Sequence, residues 1–171
     1  MGSVLSASPA ARGTRDRMKY LLILLTVIVL AALAGLLVLG RMSRSGHSPG
    51  LLDGTLQKCP ASPNCVCSES DEHSGHFIEP LATAHLKEDN ALGRLKPIIV
   101  ELGGRIEAET DSYLAATFAS SVFGFVDDLE ARVDAQEGVI HIRSASRVGY
   151  SDLGVNRTRV EKIRRRFQRG R

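Results

Sequence analysis

Between Phe125 and Arg159 the chain concentrates side chains that can do chemistry. Two adjacent carboxylates, Asp127 and Asp128, are followed a hairpin later by Arg143-Ser144-Ala145-Ser146-Arg147, and then by Asn156 and Arg157. Carboxylates exchange protons, arginines hold anions through paired N–H donors, and hydroxyls and amides orient either. The candidate ligand-binding set is therefore Asp127, Asp128, Arg143, Ser144, Ser146, Arg147, Asn156 and Arg157. No catalytic constellation is complete: Ser144, Ser146 and Ser151 lie outside any nucleophile-elbow motif, and His141 alone makes no triad. The expectation is a binding or structural module for an anionic ligand or partner. The alternative is a hydrolase using Asp127 or Asp128 as acid or base and Arg143 or Arg147 as anion clamp.

Four strands are expected to carry these residues: Arg105 to Thr110, Tyr113 to Ser120, Phe125 to Asp134 and Val139 to Arg147. Their alternation places Leu114, Ala116 and Phe118, Leu129, Ala131 and Val133, and Ile140 and Ile142 toward one core. Pairing Leu129 with Ile142 sets Asp127 opposite Ser144 on the core side and Asp128 opposite Arg143 on the outer side. An exposed Asp128–Arg143 pair contributes at most about 1 kcal/mol. Arg143 and Arg147 share a face roughly 13 Å apart at 3.3 Å per residue, which suits a spread anionic surface better than one phosphate. Pairing of these arginines with Asp128, Glu130 or Asp152 is the bland alternative.

Helices flank the strands. Leu92, Leu95, Ile99 and Leu102 form a stripe that predicts a helix from Lys87 to Leu102, with a kink or early break at Pro97. The last helix is expected to start at Ser151 or Asp152, with Leu153, Asn156, Val160, Ile163 and Phe167 on its apolar row. Asn156 in that row needs partners, either as an amide tying helix to loop or as a ligand contact. The expected fold class is α+β: a small antiparallel four-stranded meander flanked by two helices, behind an N-terminal transmembrane helix.

Tyr20 to Gly40 holds one polar side chain, Thr26. At about 1.5 Å per residue it spans roughly 30 Å, a hydrocarbon core. Arg12, Arg15, Arg17 and Lys19 precede it, against Arg41 and Arg44 behind, so a cytoplasmic N-terminus and a periplasmic or extracellular C-terminal domain are expected. Ala32-Leu33-Ala34 keeps a cleaved signal peptide as the alternative, and no cysteine indicates a lipoprotein anchor. The expected organisation is a basic tail over 1–17, a signal-anchor over 18–40, a flexible linker over 41–58 and an extracytoplasmic domain over 59–171. The net charge is only +3, but from Arg157 onward eight basic residues face a single acid, Glu161. That run reads as a solvated helix face or a membrane-surface contact. Tryptophan is absent and aromatics are few, which argues against a nucleic-acid stacking platform.

Cys59 and Cys65 bracket a turn with two prolines and an asparagine, a disulfide candidate outside the cytoplasm worth about 2 kcal/mol. Cys67 is left over. Cys65, Cys67, His73 and His76 are zinc-ligand types, but their spacing fits no strong zinc template, so no metal or cofactor is expected.

Cys59-Pro60-Ala61-Ser62-Pro63-Asn64-Cys65-Val66, Phe77-Ile78-Glu79-Pro80-Leu81, Phe123-Gly124-Phe125-Val126-Asp127-Asp128 and the passage Arg143 to Arg159 together resemble the family catalogued as domain of unknown function 1499. The resemblance covers about residues 51 to 167. It implies a Cys-Pro-x-Ser-Pro-Asn-Cys loop joined to an Arg-Ser-Ala-Ser-Arg passage, often behind a secretion signal or membrane anchor, and no established activity. The chain departs at Cys67, where a serine is expected.

Overall fold

In the computed structural model, residues 9–83 and 91–169 are described, with side chains from residue 16 onward. The chain divides into two compact units, Met1–Val38 and Leu39–Arg171. Helix α1, Pro9–Ser45, begins in the first and ends in the second. The most apolar 18 residues between Asp16 and Ser45 have a mean hydropathy of 3.1, and the helix is long and apolar enough to cross a membrane. Thr26 turns its hydroxyl back onto the Leu22 carbonyl at 2.8 Å, which spares that polar group an apolar surrounding. Of the tail expected over 1–17, residues 1–8 lie outside the described residues.

The second unit is built from strands β1 (Leu51–Leu52), β2 (Thr55–Leu56), β3 (Cys65–Cys67), β4 (Leu81–Ala82), β5 (Arg105–Glu109), β6 (Tyr113–Ala119), β7 (Val126–Asp134) and β8 (Val139–Ser146), with helices α2 (Ala91–Glu101) and α3 (Val155–Arg169). The expected meander β5-β6-β7-β8 is present, but the sheet has six strands rather than four. Both β3 and β4 pair antiparallel with β8, Cys67 opposite Arg143 and Leu81 opposite Ile140, so they lie one after the other along its outer edge. Strands of three and two residues carry no alternation to read; they are recruited because the edge of β8 presents unpaired backbone groups. β1 and β2 form a separate hairpin through Asp53 and Gly54, both at positive φ, the turn a two-residue loop requires.

Both helices contribute to the core on one sheet face, with Leu95, Ile99, Val160, Ile163 and Phe167 packed against Leu114, Leu129 and Ile142. α2 continues through Pro97 to Glu101, so of the expected kink or early break the break does not occur. Pro97 and Gly93, whose carbonyl loses its helical donor, both lie on the solvent side, where water supplies the missing partner. The start expected at Lys87 lies outside the described residues. α3 begins at Val155, three residues beyond the expected Asp152. Asp152 still caps it, accepting the Asn156 N–H at 2.7 Å and the Gly154 N–H at 3.0 Å, but Leu153 and Gly154 take positive φ between cap and helix. Leu153 therefore leaves the apolar row and stands 94% exposed, whereas Asn156 is buried in it as expected.

Candidate functional site

The sheet buries polar residues on both faces. β7 and β8 pair with Leu129 opposite Ser144 and Asp127 opposite Ser146, displaced by two residues from the expected Leu129–Ile142 pairing. The turn after β7 sets this register: it closes Asp134 on Val139, with Gly138 at φ 64. A two-residue slip preserves faces, so Asp127 still points toward α3 and Asp128 away. It changes every partner.

On the helix side, Asp127 accepts hydrogen bonds from Ser146 Oγ and Arg159 Nη2, both at 2.6 Å. Asn156, 1% exposed, donates from Nδ2 to the Asn64 carbonyl and to Ser146 Oγ, each at 3.0 Å. Its Oδ1 accepts from Ser144 Oγ at 2.6 Å and from Arg159 Nη1. Asn64 in turn donates its amide to the Gly149 carbonyl at 2.7 Å and accepts from the Ser146 N–H at 3.0 Å. The proline-rich loop, the end of β8 and the first turn of α3 are thus one hydrogen-bonded knot, with Arg159 stacked 4.5 Å from the Phe118 ring centroid. Cys59 and Cys65 are disulfide-bonded with Cα atoms 5.6 Å apart, which shapes the loop that presents Asn64. This accounts for Cys65. His76 Nδ1 lies 3.0 Å from the Cys65 carbonyl, and Cys67 is a buried free thiol pushed up from its ordinary pKa chiefly by burial.

On the other face lies an ionic network the sequence reading took for surface. Asp128 is 4% exposed and holds Arg147 through two bonds, 2.9 Å from Nε and 2.7 Å from Nη2. Arg143 pairs with Glu130 at 3.0 Å, so the expected Asp128–Arg143 bridge is replaced by two buried pairs. Tyr113 Oη donates to Glu130 at 2.7 Å, and burial followed by that bond pushes its pKa well above the usual tyrosine range. Arg132 bonds Glu69 and Asp134. Residues 43–50 cover these charges. Ser43, fully buried, bonds both the N–H and the carbonyl of Val126, Ser48 Oγ donates to Asp128 at 2.9 Å, and the Gly50 N–H donates to Glu130 at 2.9 Å. The segment expected as linker thus supplies donors to both buried carboxylates.

The eight candidate residues therefore separate into three places. Asp127, Ser144, Ser146 and Asn156 form the knot; Asp128, Arg143 and Arg147 belong to the opposite face. Arg157 joins neither, and its exposed guanidinium donates to the Gly75 and Phe77 carbonyls. Arg164 likewise holds the Glu79 and Pro80 carbonyls, so part of the basic run fastens α3 to the loop between β3 and β4. Sequence reasoning missed Arg159, Asn64 and Tyr113, whereas Glu130, named there only as a possible partner of the arginines, pairs with Arg143 as Asp128 does with Arg147. Arg159 was within reach, three residues after Asn156 on the same helix face.

Two clefts border the network. The larger, about 840 Å³, lies on the ionic face and is lined by Arg44, Arg105 and Arg147 against one carboxylate, Glu107, with Ala108, Ala115 and Ala119 among its walls. The Thr117 hydroxyl and Arg105 hold Glu107 below the usual carboxylate range. The smaller, about 440 Å³, is lined by Phe118, Ser120, Asp127, Leu153, Arg159 and Lys162 among others.

A family model described as Protein of unknown function (DUF1499) matches residues 55–167, a span that takes in the disulfide loop, the six-stranded sheet, α2 and α3 as far as Phe167. No curated protein and no solved structure matches the chain.

Proposed function

The chain belongs to this family of unknown function, and we propose from its own geometry that it is a membrane-tethered, extracytoplasmic domain that binds an anionic ligand. One observation carries the reading: the cleft of about 840 Å³ has three arginines and one carboxylate in its lining. Arg147 is committed to Asp128, but Arg44 and Arg105 are exposed at the cleft with N–H donors to spare. The alanines keep the walls low, so the cleft stays open where larger side chains would fill it. A multidentate anion such as a phosphate ester or a dicarboxylate suits several arginine donors lining one cleft.

The membrane tether rests on the apolar stretch of α1, and the extracytoplasmic side on the excess of basic residues before that stretch and on the Cys59–Cys65 disulfide. The hydrolase reading is weaker. Asp127 and Asp128 each engage both oxygens in bonds to an arginine and a hydroxyl of the protein itself.

The test is native mass spectrometry of the full chain in detergent, followed by thermal-shift titration with phosphate esters and dicarboxylates. A copurified anion, or a shift that disappears in the Arg44→Ala/Arg105→Ala double variant, is the expected result. A folded chain that carries no anion and responds to none, or a shift that survives the double variant, would overturn the reading. Topology is checked separately with a reporter fused after Arg171, which should be active only in the extracytoplasmic form.

A further inference from the structure

One end of the sheet exposes apolar side chains that make no use of the fold. The loop between β6 and β7 and the passage from β8 to α3 emerge at the same end, because Ala119 pairs with Val126 and Asp127 with Ser146. Val122 is 77% exposed, Tyr150 76% and Leu153 94%. Leu153 and Ser120 line the same small cleft, which brings the two loops together. Leu153 is costly for the isolated domain on two counts: its backbone is held at φ 55, a region non-glycine residues rarely take, and its side chain stands in water.

The same end receives the last turns of α1. Gly40 packs so closely on Phe123 that a Cβ there would collide with its carbonyl oxygen, and Arg44 donates to the Phe123 and Gly124 carbonyls. Gly40 is also the last residue of the apolar run, so chain continuity puts the end of that run beside the loop carrying Val122. Arg41 and Lys162 are exposed around it.

We propose that this end of the domain rests on the phospholipid surface, with Val122, Tyr150 and Leu153 dipping into the headgroup layer and the flanking basic groups facing lipid phosphates. The inference depends on the reading of α1 as a retained anchor. Apolar and aromatic tips ringed by cations are the composition of an interfacial contact. The contact gives Leu153 the apolar surroundings that the fold itself withholds.

The experiment uses the full chain reconstituted in phosphatidylcholine–phosphatidylglycerol vesicles, with one environment-sensitive fluorophore at a time on Val122→Cys, Leu153→Cys, Gln136→Cys or Ile28→Cys. Cys67 is buried and stays unlabelled in the folded protein. Gln136, exposed in the turn at the opposite end of β7 and β8, is the aqueous control, and Ile28, in the apolar run, reports the anchor. The expected result is a blue shift at positions 122 and 153 and loss of most of their emission when lipids carry a headgroup-level nitroxide, with position 136 unaffected and position 28 quenched by a nitroxide deep in the acyl chain. A quenched probe at 28 with unquenched probes at 122 and 153 overturns the surface and leaves the anchor intact. An unquenched probe at 28 removes the anchor, and the surface with it.

Discussion

Asn156→Ala separates a fastening amide from a ligand contact. The side chain makes four hydrogen bonds inside the protein, two donated to Asn64 O and Ser146 Oγ and two accepted from Ser144 Oγ and Arg159 Nη1. At about 1 kcal/mol net for each, truncation removes roughly 4 kcal/mol. Some of this is recovered. Asn64 O keeps the Ser146 N–H, Ser146 Oγ keeps Asp127, and Arg159 keeps Asp127 and Ser144. The hydroxyl of Ser144 alone loses its acceptor in a fully buried position, and the small void adds to the cost. The expected loss is therefore about 3 kcal/mol, a large share of the roughly 5–15 kcal/mol that holds a domain together. Urea unfolding of the full chain in micelles, followed by far-ultraviolet circular dichroism, reads it as a lowered midpoint at unchanged slope. A loss below about 1 kcal/mol would refute the four-bond accounting and return Asn156 to the candidate ligand contacts.

Three further outcomes are expected. Asp128→Ala leaves the nearly buried Arg147 without its carboxylate, and should cost about 3 kcal/mol or more and speed amide exchange at Gly50; unchanged exchange there would disconnect residues 43–50 from the ionic network. Tyr113 has its pKa raised, so the unfolded chain loses this proton first; stability is whole below about pH 10 and falls as pH rises beyond it. Alkaline denaturation of Tyr113→Phe should lack this component, and an identical pH profile would discard the Tyr113–Glu130 bond as its source. Cys67, fully buried with its thiol pushed up by burial, should resist iodoacetamide at pH 8 until urea unfolds the domain, whereas labelling of the native protein at the rate of a free peptide thiol would contradict its burial.

What the sequence by itself determined is what depends on period and local chemistry. The apolar run of α1, the four meander strands, the faces of Asp127 and Asp128, the buried row of α3 through Asn156, and the Cys59–Cys65 pairing all follow from spacing of two, spacing of three and four, or a short proline-bearing loop. Tertiary structure decided what depends on distant segments. Register came from where the β7–β8 turn closed, and a two-residue slip invisible to alternation exchanged Asp128–Arg143 for Asp128–Arg147 and Glu130–Arg143. Whether that face was surface or interior turned on residues 43–50, some 80 positions away, whose composition reads as linker. The ions are buried there because Ser48, Gly50 and Tyr113 supply donors to Asp128 and Glu130. Desolvating a carboxylate is tolerable only when such donors arrive from elsewhere in the chain, and sequence spacing carries no record of that arrival.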